Sequence, residues 1–165
     1  MSAAELVVRA VSAEQTRPLR QAILRPHLTL DEMAASEPPD AVAVGAFAGD
    51  ELVAVGLVGP QGAPGAWRVR GMATVPRARG RGAGTAVLTA LLDHATTHGA
   101  KRVWASVRTP ARSLYERAGF RVISEEFELP DIGPHVLMEL EMHKAAQGRQ
   151  RPSTTRPAAA RGGSR

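Results

Sequence analysis

The chain has 165 residues, enough for one domain, and a hydrophobic content of 44% that can supply a buried core. It contains no cysteine, which excludes disulfides, thiolate zinc sites and any cysteine nucleophile. The net charge of +5 is unevenly placed. Lys144, Arg149, Arg151, Arg156, Arg161 and Arg165 follow residue 143 with no acidic residue among them, leaving 15 basic and 16 acidic residues before them. Residues 144–165, rich in Arg, Ala, Gly, Pro, Ser and Thr, carry no bulky apolar side chain and are expected to be a disordered basic tail on a domain spanning 1–143. Without aromatics to stack on bases, that tail gives no specific nucleic-acid site, only salt-sensitive contacts. No apolar run approaches the ~18 residues of a membrane span. Met1–Glu5 lacks the basic and apolar regions of a secretion signal, so the cytoplasm is the expected compartment.

Taken in chain order, residues 5–11 read as a strand. Ser12 is a candidate N-cap, and a helix opens at Glu14, runs to about Leu24 and stops at Pro26. A short helix is expected near Thr29–Ala35. Ala41–Ala48 and Leu52–Val58, joined by Gly49-Asp50, read as a hairpin. After the loop Gly59–Gly65, Ala66–Val75 reads as a strand. Alternation places Trp67, Val69 and Gly71 on one face and Arg68, Arg70 and Met72 on the other. Pro76–Gly80 make a turn, and a helix runs from Arg81 to about His98 with Ala83, Val87, Leu88, Leu91, Leu92 and Ala95 at helical spacing. Lys101–Val107 is a further strand. Thr109-Pro110 resembles a cap and first residue opening the helix Ala111–Ala118. Phe120–Leu129 and Val136–Met142 are the last two strands. The order β-α-α-β-β-β-α-β-α-β-β describes one α+β or mixed α/β domain without repeats.

The run Arg79-Gly80-Arg81-Gly82-Ala83-Gly84 lies between a strand and a helix. Three glycines in five positions exceed what a tight turn requires. A dinucleotide fingerprint fails in both frames, because the sixth position is Thr85 or Val87, and no acidic residue ends the next strand. A P-loop lacks its Gly-Lys-Ser/Thr. What remains is a pyrophosphate cradle built from glycine backbone, a helix N-terminus and the charges of Arg79 and Arg81, with Arg77 a further candidate.

Arg79-x-x-Gly82-x-Gly84 resembles the Arg/Gln-x-x-Gly-x-Gly/Ala motif of the GNAT superfamily of N-acetyltransferases, which follows the fourth strand and opens the third helix. A second segment, Ala111, Leu114, Tyr115, Gly119 and Phe120, is similar to that family's Asn-x-x-Ala-x-x-Leu-Tyr-x-x-x-Gly-Phe pattern, with Arg108 at the Asn position. The likeness spans about residues 42–142. Trp67–Ala73 and Ile132–Met138 further resemble a poorly characterised bacterial subgroup.

The resemblance implies a mostly antiparallel twisted sheet of about six to seven strands with about four helices. It also implies acetyl-CoA as co-substrate, direct acyl transfer to a primary amine of a small molecule or peptide, no metal, and in some members a homodimer. Met72, Ala73, Thr74 and Val75 would meet pantetheine. Arg79, Gly80, Arg81, Gly82, Ala83, Gly84 and Thr85 would meet the pyrophosphate. Arg108 would reach either the CoA phosphates or an acidic acceptor. Tyr115, the single tyrosine, would be the general acid, against the alternative of a core aromatic with a wet hydroxyl. Base candidates are Glu125, Glu126, Glu128 and His135, with Glu126 and Glu128 opposite Glu125 if the strand is regular. Arg68 and Arg70 either bind an acidic acceptor or pair with glutamates across the sheet. His94 and His98, at i, i+4, suit the end of a helix dipole better than zinc. A non-catalytic acyl-CoA-binding domain is the alternative function.

Overall fold

The computed structural model describes residues 5–142; the basic segment 144–165 and the boundary at residue 143 lie outside it. Strand β1 (Leu6–Val11) leads into helix α1 (Ala13–Leu24). The entry is a capping box: the Ser12 hydroxyl accepts from the Gln15 N–H at 3.0 Å, and the Gln15 side chain accepts from the Ser12 N–H at 2.8 Å. Thr29 and Glu32 repeat the device at helix α2 (Leu30–Ala35).

The strands that follow are β2 (Val42–Ala48), β3 (Glu51–Pro60) and β4 (Ala66–Thr74). A 3-10 turn over Pro76–Ala78 joins β4 to helix α3 (Ala83–Thr97), and β5 (Arg102–Arg108) comes next. Helix α4 (Arg112–Arg117) is preceded by a second 3-10 turn over Thr109–Ala111. Strands β6 (Arg121–Val122), β7 (Phe127–Leu129) and β8 (Gly133–Glu141) complete the described chain.

One sheet holds all eight strands in the order β1-β2-β3-β4-β5-β8-β6, with β7 also on β8. Every pairing is antiparallel except β4 with β5. The two faces are filled differently. On one, α3 buries Val87, Leu88, Leu91 and Ala95 against Val44, Val58, Val69 and Val103. On the other, α1 lies across β3 and β4, with Thr16 and Arg20 buried beneath it. The apolar stripe expected on α3 is therefore its buried face, with Leu92 at its half-buried margin.

Three expectations need correction. The regular alternation along 66–75 breaks at Gly71. The register of β3 with β4 shifts between Val55 and Leu57, and Gly71 takes φ +67°. A Cβ there would sit 2.7 Å from Arg20 Cδ and 2.8 Å from Leu57 Cδ1, which only glycine avoids. The bulge puts Gly71 on the α1 face beside Arg70. It turns Met72 to the α3 face, near where Val87 and Leu91 pack over Gly56.

The second correction concerns 120–129, which is two short strands. The Ser124 Oγ accepts the Leu137 N–H at 2.9 Å, taking the donor that a continuous strand would have used. Glu125 and Glu126 lie in the intervening segment, so strand alternation does not assign their sides. The third concerns Thr109, which does not cap a helix. Its hydroxyl donates to Glu126 at 3.0 Å, and α4 begins three residues later.

Candidate active site

The glycine run is shaped by backbone conformation that side chains would oppose. Gly80 and Gly82 have φ of +79° and +87°, and a Cβ on either would meet nothing within 4 Å. Both backbones therefore stand open on the surface. Gly82 is the N-cap of α3 with no side-chain cap, and no acidic residue lies in the first turn. The leading N–H groups of a 15-residue helix are thus left for an external acceptor. Arg79 is fastened by its Nε to the Thr74 carbonyl at 3.2 Å, and Arg81 is exposed beside it. Neither forms an ion pair among the described residues, whereas Arg77 is turned away to Glu51. Gly84 lies close to the end of β4: a Cβ there would be 3.4 Å from Thr74 Oγ1. From this turn a groove of about 290 Å³ runs between α3 and α4, lined by Thr85, Leu88, Thr89, Leu114, Arg117 and Ala118. Thr89 and Arg117 carry no motif that would single them out in the sequence.

The sheet parts at the same place. Strands β4 and β5 pair only over Ala66–Arg68 with Arg102–Trp104. Beyond that register β4 continues on β3 and β5 on β8, so the β5-facing edge of β4 from Val69 to Thr74 has no strand partner. Met72, Ala73, Thr74 and Val75 line this edge just before the glycine run. Such an edge can receive an extended ligand as an extra strand.

Tyr115 enters from α4 on the α3 side. It is buried and packs edge-to-face on Phe120 with ring centroids 5.3 Å apart. Its hydroxyl has no partner among the described residues. Burial pushes its ionisation well above the ordinary phenol value, so the proton is retained at neutral pH.

The opposite face is basic. Arg68 and Arg70 project from β4 and Arg108 from β5, beside Arg25 at the end of α1. Arg108 thus departs from a CoA-phosphate role: its Nη2 donates to the Leu24 carbonyl at 2.7 Å, across the sheet from α3. Nor do Arg68 and Arg70 form ion pairs with glutamates among the described residues. The nearby Glu37 is engaged by Arg17 and Arg20. Burial works to raise the Glu37 pKa, but hydrogen bonds from these two arginines hold it below the usual carboxylate value.

His135 stands opposite Arg108 on β8, on this same face, buried and stacked on Phe127. Its Nδ1 lies 2.9 Å from the Gly133 carbonyl, which can only accept, so in the neutral ring Nδ1 carries the proton and Nε2 the lone pair. Glu126 is exposed and bound to Thr109. Among the described residues no His/Asp/Glu cluster could hold a metal ion. His94 and His98 stack at 4.0 Å with Trp67 beside them. Burial, then His98, lowers the His94 pKa from its ordinary value.

An uncapped helix N-terminus with an arginine-flanked glycine turn, set at the foot of an unpaired strand edge, defines an acyl-CoA transferase of the GNAT fold. The chain belongs to the Acetyltransferase (GNAT) family, which matches residues 8–120. Members of this family use acetyl-CoA as co-substrate. Among curated proteins it is similar to the Uncharacterized N-acetyltransferase YitI of Bacillus subtilis (strain 168). The two are 29% identical over 140 residues, covering 81% of this chain and 94% of that protein. Among solved structures it shares its fold with the IAA acetyltransferase of Bacillus cereus ATCC 14579. The TM-score is 0.68 at 16% identity, covering 84% of this chain and all (100%) of the other. A Bacillus subtilis acetyltransferase in complex with CoA aligns at a TM-score of 0.65 and 17% identity, covering 84% and 100% of the two chains. The sheet of eight strands with four helices is the GNAT architecture, one strand richer than expected because 120–129 is split. No described helix is long and apolar enough to cross a membrane.

Proposed function

We propose that this protein transfers an acetyl group from acetyl-CoA directly to a primary amine, with Tyr115 as general acid. The observation that carries the proposal is the juxtaposition of the open N-terminus of α3 with the unpaired edge of β4. In this reading the backbone of Gly80, Gly82, Ala83, Gly84 and Thr85 holds the pyrophosphate, and Arg79 and Arg81 neutralise it. The edge Met72–Val75 binds pantetheine as a short added strand, and one of its N–H groups faces the thioester oxygen as charge develops there.

The chemistry needs two proton movements. An amine nucleophile must be neutral when it attacks, and His135 Nε2 is the acceptor for its proton, directly or through a water. The geometry favours His135 over Glu126, because Glu126 sits in the solvent and is already held by Thr109. As the N–C bond forms and the C–S bond breaks, the departing thiolate takes the Tyr115 proton. Burial keeps the phenol protonated, so the proton is in place when the thiolate forms.

The test is thermal shift with acetyl-CoA followed by thiol release across an amine panel. Stabilisation together with amine-dependent thiol release is expected. Stabilisation without release for any amine makes the protein a binding domain and overturns the catalytic reading.

A further inference from the structure

We propose that the arginines on the α1 face of the sheet seat an anionic group of the acceptor, so that the acetylated amine belongs to a molecule bearing a carboxylate or phosphate. This deepens the acetyltransfer reading and rests on it.

Two sets of contacts, close enough for their charges to act on one another, make a wall of four arginines. The Arg68 guanidinium lies over the Trp104 ring, 4.6 Å from its centroid. The Trp104 Nε1 donates to the Gln61 carbonyl at 2.9 Å, and the Gln61 Oε1 accepts from Arg70 Nη1 at 3.3 Å. Arg108 and Arg25 share the Leu24 carbonyl, at 2.7 and 3.5 Å. The wall stands where the sheet parts. Arg68 and Trp104 form the last β4–β5 pair, Arg70 follows on one lip of the gap, and Arg108 stands on the other.

No carboxylate contacts this wall among the described residues; Glu37 acts on Arg70 only from a distance. None of the four forms an ion pair, and Glu37 is committed to Arg17 and Arg20. Arg68 Nε is buried without a hydrogen-bond partner. A guanidinium offers five N–H donors, and the carbonyl and amide contacts above use one each of Arg25, Arg70 and Arg108 and none of Arg68. Burial, then the neighbours Arg70 and Arg25, bring the Arg68 pKa down to about 10, so it is still charged at neutral pH. Packing for stability alone would not gather four like charges with open donors, because their repulsion and desolvation oppose folding. An oxyanion answers both deficits, taking paired N–H groups while cancelling charge. Bound there, its amine lies beside the gap across which Tyr115 stands on the α3 side.

The experiment pairs amines that differ only in charge: amino acids against their amides, and aminoalkyl phosphates against aminoalkyl alcohols, each with acetyl-CoA and thiol-release detection. The anionic member is expected to have a kcat/KM at least ~10-fold higher, about 1.4 kcal/mol. Arg70→Gln and Arg108→Gln are expected to collapse that ratio through KM for the anionic amine, and Arg70→Lys to restore part of it, with the acetyl-CoA thermal shift as in the parent. Whether carboxylate or phosphate is preferred identifies the oxyanion. Equal rates within each pair, or arginine variants that slow both members alike, overturn the proposal. Loss of acetyl-CoA binding or of all thiol release is instead a failure of the acetyltransfer reading. In that case the anion seat is read from the melting temperature in succinate against chloride at equal ionic strength. A stabilisation abolished by Arg70→Gln supports it, and no stabilisation counts against it.

Discussion

Replacing Tyr115 by Phe removes one oxygen and leaves the ring that packs on Phe120. The hydroxyl has no partner among the described residues, so its loss strands no buried donor or acceptor there. Stability should change by no more than about 0.5 kcal/mol, or ~2 °C in melting temperature for a chain of this size. Acetyl-CoA binding should hold within about twofold, because the phosphates and pantetheine are assigned to other residues. Turnover is a different matter. A positioned general acid contributes roughly 10²–10⁴-fold, so the activation barrier should rise by about 3–5 kcal/mol. Single-turnover thiol release with a saturating amine reads the chemical step directly. A Phe variant that binds acetyl-CoA and turns over within ~3-fold of the parent would refute the assignment of Tyr115 as the acid. The buried phenol makes a second prediction. With its folded pKa raised, its contribution is complete below the unfolded value near 10 and is lost as pH climbs beyond it. The parent should therefore melt progressively lower above pH 10, and the Phe variant should show less of this loss.

Gly82→Asp places a side chain where φ is +87°, at a cost of ~1–2 kcal/mol, and sets a negative charge at the phosphate cradle. The fold should survive, since a Cβ there meets no atom within 4 Å, while calorimetry should detect no acetyl-CoA binding; retained affinity would remove the cradle assignment. Gly71→Ala forces a Cβ against Arg20 and Leu57 and should destabilise by more than ~2 kcal/mol in urea, relieving the bulge that aims Met72. An unchanged midpoint would show that the bulge does not depend on glycine. Glu37→Gln leaves the buried Arg20 without its counter-charge and should cost roughly 3 kcal/mol. Because the parent carboxylate is held below its ordinary pKa, this contribution is present above the unfolded value of 4.5 and fades as pH falls through the folded one. Parent and variant should therefore converge in stability under acid, and a constant difference down to pH 2 would refute the ion-pair account.

Local rules made much of this protein legible in its sequence. Ser12 and Gln15 announce the start of α1, and the apolar spacing of Ala83–Ala95 announces the buried face of α3. The frame of Arg79–Gly84 excluded the other phosphate loops before any fold was known, because each of those signals is decided within a few residues. Contacts between distant segments were not legible. The parting of β4 and β5 after Arg68 and Trp104 depends on each strand having another partner. The bulge at Gly71 depends on its register with β3, and the break at Ser124 on a donor from Leu137. The arginine wall draws on α1, β4 and β5, and its lack of carboxylates is a property of the assembled face, not of any segment. Sequence alone determined the family and singled out the glycine turn proposed to bind CoA. The tertiary structure decided which side of the sheet Arg108, His135 and Met72 occupy, because side-chain direction in a sheet follows strand register, and register is set by pairing between residues far apart in the chain.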